Sequence, residues 1–480
     1  MKNKIIIALD QGSSSSRAAA VNGSGVVIHK ESIPVNFNVN GVKCECDARD
    51  ILKSQLQSLD KTIAALPENS EIISIAVCAQ RSTIVLWDKI TGSALCPALS
   101  WLDGRAAAQA ELNPMTQEEI HSRSGLYKTP YYSAPKIKWC LQNYSDVKQA
   151  ARKGRLMAGP VATWLIWNMT KGKVFATDIT NAQRTLLFNI KTMSWDDEIL
   201  KSFDIPKNIL PQVISSAADF GFYKNIPITV CVGDQQAACA ATGLLKKGDC
   251  AINYGTGAFV LLNIGANYAD IAGILTSVSY NSQNRQADFI LEGPINTAAS
   301  LFTWLQTIGL DFDIQDMDKI YANSKEPAQI FPALGGIGAP IWNFKLTPVI
   351  YGLKPNTTKN DIIAGALRGL AFLTADIINY ISKSGFNTYR VQASGGLSAS
   401  GALLKFQSDI LQCPIIRAKE TESGALGAAY IAAENLNMDT SKWETFKNYE
   451  VFEPSVSQRE AAAKHSNWRQ FADWALKQPL

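Results

Sequence analysis

Five apolar residues, Ile5 to Leu9, run directly into Asp10-Gln11-Gly12-Ser13-Ser14-Ser15-Ser16-Arg17. An unbroken apolar run predicts a buried strand, and the abrupt polar segment predicts a tight turn at its end. The next apolar stretches, Arg17 to Val21 and Gly25 to Val35, continue as strands, with Asn22-Gly23-Ser24-Gly25 as a hairpin turn between them. Ile72 to Gln80 and Ile226 to Gly233 are further apolar strands, whereas Asp47 to Leu66 repeats its apolar residues near every 3.6 positions, as a helix does. Strands alternating with helices predict an α/β architecture.

The opening pattern has an echo near the middle of the chain. Gly248 to Gly265 is again apolar strand, glycine and hydroxyl turn, apolar strand. Hairpins with glycine turns are common, so this echo alone does not establish a duplication. Near the C-terminus, Val391 to Ser400 sets the Gly395-Gly396 pair after a strand and before the helix-like Gly401 to Leu411.

A chain of 480 residues exceeds one ordinary core, which predicts at least two domains. With 46% hydrophobic and 18% charged residues it reads as globular. A net charge of +4 without any long basic run gives no footprint for nucleic acid. No apolar stretch approaches the roughly 18 residues of a membrane span, and Asp10 ends the first run too early for a secretory signal. Nine scattered cysteines read as reduced thiols, and Cys44 and Cys46 have no second pair at zinc spacing. The expected setting is the cytoplasm, without a membrane or nucleic-acid partner.

The turns suggest phosphate chemistry. Gly12, Gly255 and Gly257 leave backbone N–H groups approachable, and Ser13, Ser14, Ser15 and Thr256 add hydroxyls. Arg17 offers a guanidinium fork. Asp10 would repel a triphosphate unless a divalent cation intervened, which implies Mg²⁺ held largely through water alongside ATP. No Walker A pattern is present. Asp234 stands where an apolar strand meets a helix, a place suited both to a catalytic base and to a helix cap. The helix dipole there is expected to keep its carboxylate ionised. Trp101 and Tyr131 suit either an apolar pocket wall or the core. None of His29, His121 and His465 falls in a motif.

Taken in order along the chain, these segments resemble the FGGY family of carbohydrate kinases, most nearly its glycerol-phosphorylating members. The resemblance is carried by "ALDQGSSSSRA", "AQRSTIVLWDKITG", "SWLDGR", "GLYKTPYYSAPKIKW", "VGDQQAA", "NYGTG", "LEGP", "GIGAPIW", "SGGLSASGALLKFQSDIL" and "GALGAAY". It implies two ribonuclease-H-like domains of the actin and hexokinase superfamily flanking a nucleotide and substrate cleft. Residues 1–243 would hold the first phosphate hairpin, the acceptor pocket and the catalytic aspartate, and 244–480 the second hairpin and the adenosine site. It assigns Gly12, Ser13, Ser14, Ser15, Arg17, Gly255, Thr256 and Gly257 to the phosphates, and Gly395, Gly396, Ser400, Ala299 and Thr303 to the adenosine side. Arg81, Ser82, Trp101, Tyr131, Asp234 and Gln235 would line the acceptor pocket, with Asp234 as general base.

Several positions depart from the glycerol-phosphorylating pattern. Ser82 stands where a glutamate is usual, Ser394 and Asn343 where aspartates are usual, and Ser400 where asparagine is usual. The implied activity is ATP-dependent phosphorylation of a small polyhydroxyl substrate, either glycerol or another polyol or ketose. A nucleotide-binding protein working by domain motion is the non-kinase alternative, and homo-oligomerisation is compatible with either.

Overall fold

The structure, a computed structural model, describes residues 3–244, 246–418, 423–443 and 449–478. The opening apolar run is strand β1 (Asn3–Gln11), followed by β2 (Ser15–Asn22), β3 (Val27–Pro34), helix α1 (Ala48–Ala64) and β4 (Ser70–Ala79). Asp47 caps α1, its side chain accepting from the Arg49 N–H. After an intervening segment come β5 (Phe222–Tyr223), β6 (Ile226–Gly233) and α2 (Asp234–Ala241). These strands form one sheet in the order β5-β6-β4-β1-β2-β3. β1 pairs antiparallel with β2 and parallel with β4. Buried on both faces, β1 reads as a continuous apolar run.

The second half supplies β7 (Asp249–Tyr254), β8 (Ala258–Gly265), β9 (Leu275–Val278), β10 (Phe289–Ile295), β11 (Arg390–Ser394), helix α3 (Gly401–Leu411), β12 (Ile415–Ala418), helix α4 (Ser423–Asn435) and β13 (Tyr449–Phe452). Their sheet runs β9-β10-β8-β7-β11-β12-β13. β7 pairs antiparallel with β8 and parallel with β11, as β1 does with β2 and β4. Outward from there, β11 pairs parallel with β12, as β4 does with β6, and β12 pairs antiparallel with β13, as β6 does with β5. The faint echo of two hairpins is therefore a repeat of a whole six-strand arrangement, with β9 added at one edge.

A small sheet of Asn38–Asn40, Lys43–Cys46, Ile84–Asp88, Ala98–Leu99 and Leu156–Pro160 projects from the first half and carries the loops around Arg81 and Trp101. Helix α4, from the C-terminal half, buries Ala425, Leu426, Ala428 and Ala429 against Ile6, Ala8 and Val232 of the first sheet. At Gly427 a Cβ would lie 1.7 Å from the Ala237 carbonyl oxygen, so α4 and α2 touch backbone to backbone there. No helix among the described residues is long and apolar enough to cross a membrane.

Candidate active site

The first turn is closed by the Gly12 N–H donating to the Ser15 carbonyl at 3.0 Å. Ser16 points inward, its hydroxyl 2.7 Å from both Gln11 Oε1 and Ser54 Oγ, which anchors the turn to the core. Ser13, Ser14 and Arg17 point outward and face a cavity of about 380 Å³ that Asp10, Arg81 and Asp234 also line. Ser15 opens β2 and is not part of this lining. One cavity thus joins the polar turn of residues 10–17 to the carboxylate at the start of α2, more than 200 residues away.

The second turn, Gly255 to Gly257, faces the first across the cleft through its flanks, Asn253 and Phe259. At Gly257 a Cβ would sit 2.6 Å from the Ile295 carbonyl oxygen, so only glycine fits against β10. The Thr256 carbonyl accepts the Ala298 and Ser300 N–H groups at 3.0 and 3.1 Å, leaving the Thr256 side chain exposed. Because Asn253 is in register with Ser394, the glycine pair after β11 lies beside this turn. Gly395 has φ +85°, and a Cβ there would meet the Tyr254 carbonyl at 2.5 Å. Gly396 opens onto free space.

Two hydroxyls expected at the adenosine are engaged elsewhere. Ser400 donates to Asp318 at 2.8 Å and accepts the Leu403 N–H, so the serine that stands for the usual asparagine caps α3. Thr303 donates back to the Ala299 carbonyl within its own helix. Neither side chain lines the cavity described above, and Gly255 and Ala299 lie outside it as well.

The acceptor half centres on Arg81, which is 6% exposed. Its Nε lies 3.3 Å from Asp234 Oδ1, Nη1 donates to Gln236 Oε1 at 3.3 Å, and Nη2 donates to Gln235 Oε1. Glu292 Oε1 lies 3.8 Å from the same Nη2. Glu292 itself is fully buried against Arg184 and the Ser277 hydroxyl. The Trp101 and Tyr131 rings stand 5.3 Å apart as a wall of the cavity. Lys136, wholly buried, holds that wall in place by donating to the Tyr131 carbonyl at 2.5 Å and to the Trp101 carbonyl at 3.5 Å. Burial pushes this ammonium down to about 7.

The expectation that Ser82 lines the acceptor pocket is corrected. Ser82 has φ +66° and is 1% exposed, and its hydroxyl donates to the Arg184 carbonyl at 3.0 Å. It braces the loop behind Arg81 and does not face the cavity. A second effect acts on the Asp234 carboxyl besides the expected helix dipole. Gly233 is the cap and Asp234 the first residue of α2, accepting the Gln235 N–H at 2.7 Å. Desolvation raises its carboxyl above the ordinary aspartate value, with Arg81 pulling in the opposite direction. Its side chain is still 42% exposed, because that exposure is toward the cleft.

The motifs did not single out Glu292, Arg184, Asn253, Phe259, Ser423 or Gly424 as site residues. A signal was available only for Glu292, a carboxylate inside the apolar strand β10. An unpaired charge is too costly in such a strand, so a partner was implied.

The chain is similar along most of its length to known carbohydrate kinases. The FGGY family of carbohydrate kinases matches in its N-terminal domain over residues 5–241 and in its C-terminal domain over 250–436. Glycerol kinase of Pseudothermotoga lettingae is 34% identical, covering 98% of each chain, and that of Alkaliphilus oremlandii is 35% identical, covering 99% of this chain and 98% of its own. The crystal structure of Plasmodium falciparum glycerol kinase with ADP superposes with a TM-score of 0.94 at 30% identity over 99% of both chains. Gluconate kinase from Lactobacillus acidophilus shares the fold, with a TM-score of 0.86 at 20% identity over 98% of this chain and 97% of its own. The chain belongs to the FGGY family of carbohydrate kinases and is one of its ATP-dependent kinases.

Proposed function

We propose that the protein transfers the terminal phosphoryl group of ATP to a hydroxyl of a small polyol, as its glycerol kinase relatives are named for doing, with Asp234 as general base. The observation that carries this reading is the shared cavity: Asp234 and Arg81 face the same 380 Å³ space as Gly12, Ser13, Ser14 and Arg17. Phosphoryl transfer asks mainly for alignment and charge stabilisation, and this space brings acceptor and phosphate groups together. Arg81 and Gln235 orient the acceptor hydroxyls, and Trp101 and Tyr131 cover its carbon side. Asp234 takes the proton of the attacking hydroxyl, and Arg17 with the turn N–H groups stabilises charge on the phosphoryl oxygens. The Gly395-Gly396 turn lies where a nucleoside would rest beside the second hairpin.

Asp10 fits a hydrated Mg²⁺. It lines the cavity, and a Cβ at Gly424 would approach its Oδ2 to 3.1 Å, so glycine keeps the carboxylate accessible. Among the described residues no cluster of three or more His, Cys, Asp or Glu forms a protein cage. A single carboxylate with water and phosphate oxygens suits Mg²⁺, which would neutralise phosphate charge when bound. The reading implies division of the chain at 243/244, a cytoplasmic setting and room for homo-oligomerisation.

Release of ADP from MgATP, measured with glycerol, tetritols, pentitols, ketoses and dihydroxyacetone, tests the reading. Acceptor-dependent turnover is expected, and its absence with every acceptor overturns it. Arg17→Ala should lower kcat by about 10²-fold while changing acceptor KM little, because the guanidinium acts on charge that develops in transfer. A collapse of acceptor affinity at unchanged kcat would place Arg17 in the other half of the site. The pH profile provides a further check. A base must be ionised, and burial raises the Asp234 pKa, so the ionised fraction is lost at a higher pH than for an exposed aspartate. The acid limb of kcat/KM should therefore lie above the ordinary aspartate range of about 4. A profile flat down to that range would exclude Asp234 as the base.

A further inference from the structure

Beside the acceptor site lies a second cavity, of about 1020 Å³. Trp101, Tyr131 and Phe259 line both spaces, so the two cavities adjoin at these rings. Beyond them the walls are mainly Tyr127, Pro130, Leu275, Pro340, Trp342 and Phe344, and Thr256 and Gly257 of the second turn line this cavity as well. This volume is typical of a site for a molecule considerably larger than glycerol.

Four of the polar side chains on these walls, those of Tyr127, Trp342, Lys128 and Asn296, already have partners. The Tyr127 hydroxyl accepts the Gly273 N–H at 2.6 Å, and Trp342 Nε1 donates to the Gly273 carbonyl at 2.7 Å. Lys128 Nζ donates to the Asn113 and Met115 carbonyls at 3.0 and 2.7 Å, and Asn296 Nδ2 to the Gly335 carbonyl at 3.0 Å. Of these contacts the Tyr127–Gly273 bond crosses between the two halves of the chain, as does the approach of the Tyr127 and Trp342 rings, 5.3 Å apart.

Near the junction the situation is reversed. Glu292 Oε1 and Gln235 Nε2 are buried with no hydrogen-bond partner, one able to accept from a hydroxyl and the other able to donate to one. Glu292 lines the large cavity and Gln235 the small one, with Arg81 in contact with both residues. Unmet hydrogen-bonding capacity therefore gathers at one end of the combined space, and apolar surface at the other. A long sugar would push hydroxyls among satisfied groups, at the cost of desolvating them without partners. An apolar chain would lose nothing there and would bury surface against aromatic rings.

We propose that the large cavity receives an apolar extension on the acceptor, so that the preferred substrate is a vicinal diol carrying a short apolar substituent. This rests on the kinase reading above. The diol end pairs with Arg81, Gln235 and Glu292, one hydroxyl faces Asp234, and the substituent passes between Trp101 and Phe259 toward Trp342 and Phe344. The reaction is unchanged in form: the hydroxyl oxygen bonds to the terminal phosphorus of ATP, ADP leaves, and the hydroxyl proton goes to Asp234.

The test uses the full chain with MgATP and compares ADP release for glycerol, 1-O-methylglycerol, 1-O-butylglycerol and xylitol. We expect kcat/KM for 1-O-butylglycerol to exceed that for glycerol at least about tenfold, mostly through KM, with xylitol below both. Phe344 is 58% exposed, so Phe344→Ala should fold, and it should shrink the butylglycerol-to-glycerol ratio. Turnover of glycerol or xylitol with no advantage for the butyl ether overturns this inference alone. If no compound in the series releases ADP, the kinase reading falls and this inference falls with it. An unchanged ratio in Phe344→Ala removes the cavity as the cause of any preference.

Discussion

Asp234→Asn is expected to reduce kcat by about 10²–10⁴-fold while leaving thermal stability near that of the parent protein. The two roles open to this residue make different demands. An asparagine oxygen can still accept the Gln235 N–H that Asp234 Oδ1 accepts at 2.7 Å, so the helix start is preserved. The cap itself is Gly233, which the substitution leaves untouched. Arg81 keeps Gln235 and Gln236 and still has Glu292 3.8 Å away, so its charge is not stranded. An amide cannot take the proton of an attacking hydroxyl. Calorimetry and steady-state ADP release on the same preparation separate the two roles. Undiminished turnover would reject the base assignment, and a large fall in Tm would show that Asp234 is mainly structural.

Arg184→Met should be the most destabilising single change near the site, at about 3–5 kcal/mol. Arg184 and Glu292 have side chains only 2% and 0% exposed, and they pair across the two halves of the chain. Burial alone would raise the Glu292 carboxyl, but Arg184 and Arg81 outweigh it and hold it below its ordinary value. A carboxylate held low contributes stability above its unfolded pKa and loses it as pH falls through the folded value. The parent protein should therefore weaken on acidification below about 4.5, the ordinary glutamate value. Urea denaturation would read the Arg184→Met loss as a lowered midpoint. The double variant Arg184→Met/Glu292→Met should recover much of it, since the stranded charge is then gone. A single variant with an unshifted midpoint would show that the pair is solvated in solution.

Local chemistry was legible in the residues themselves. A run of five apolar residues ending in Asp10 and Gly12 could only be a buried strand entering a tight turn, and β1 and β2 are joined in that way. Asp47 before a 3.6-residue apolar repeat marked the start of α1, and the glycine pair at 395–396 marked the passage from β11 to α3. Such signals act over a few residues, where backbone sterics and capping decide the outcome.

Partners across the chain were not legible. Read locally, Arg81 had no carboxylate beside it, because Ser82 stands at the usual glutamate position. The structure gives it Asp234, because β6 pairs with β4 and sets Gly233 in register with Ala79, and Glu292, from β10 of the second sheet. The motif alone assigns Ser400 to the nucleotide, while in the fold its hydroxyl donates to Asp318, 82 residues earlier. The sequence alone set the strands, the turns, the glycines that only backbone could approach, and the carboxylate at the start of α2. The fold decided which charges neutralise one another, which hydroxyls are already engaged, and that an aromatic cavity opens beside the acceptor site. Those outcomes depend on packing between segments hundreds of residues apart, and no local pattern encodes which side chains that packing will bring together.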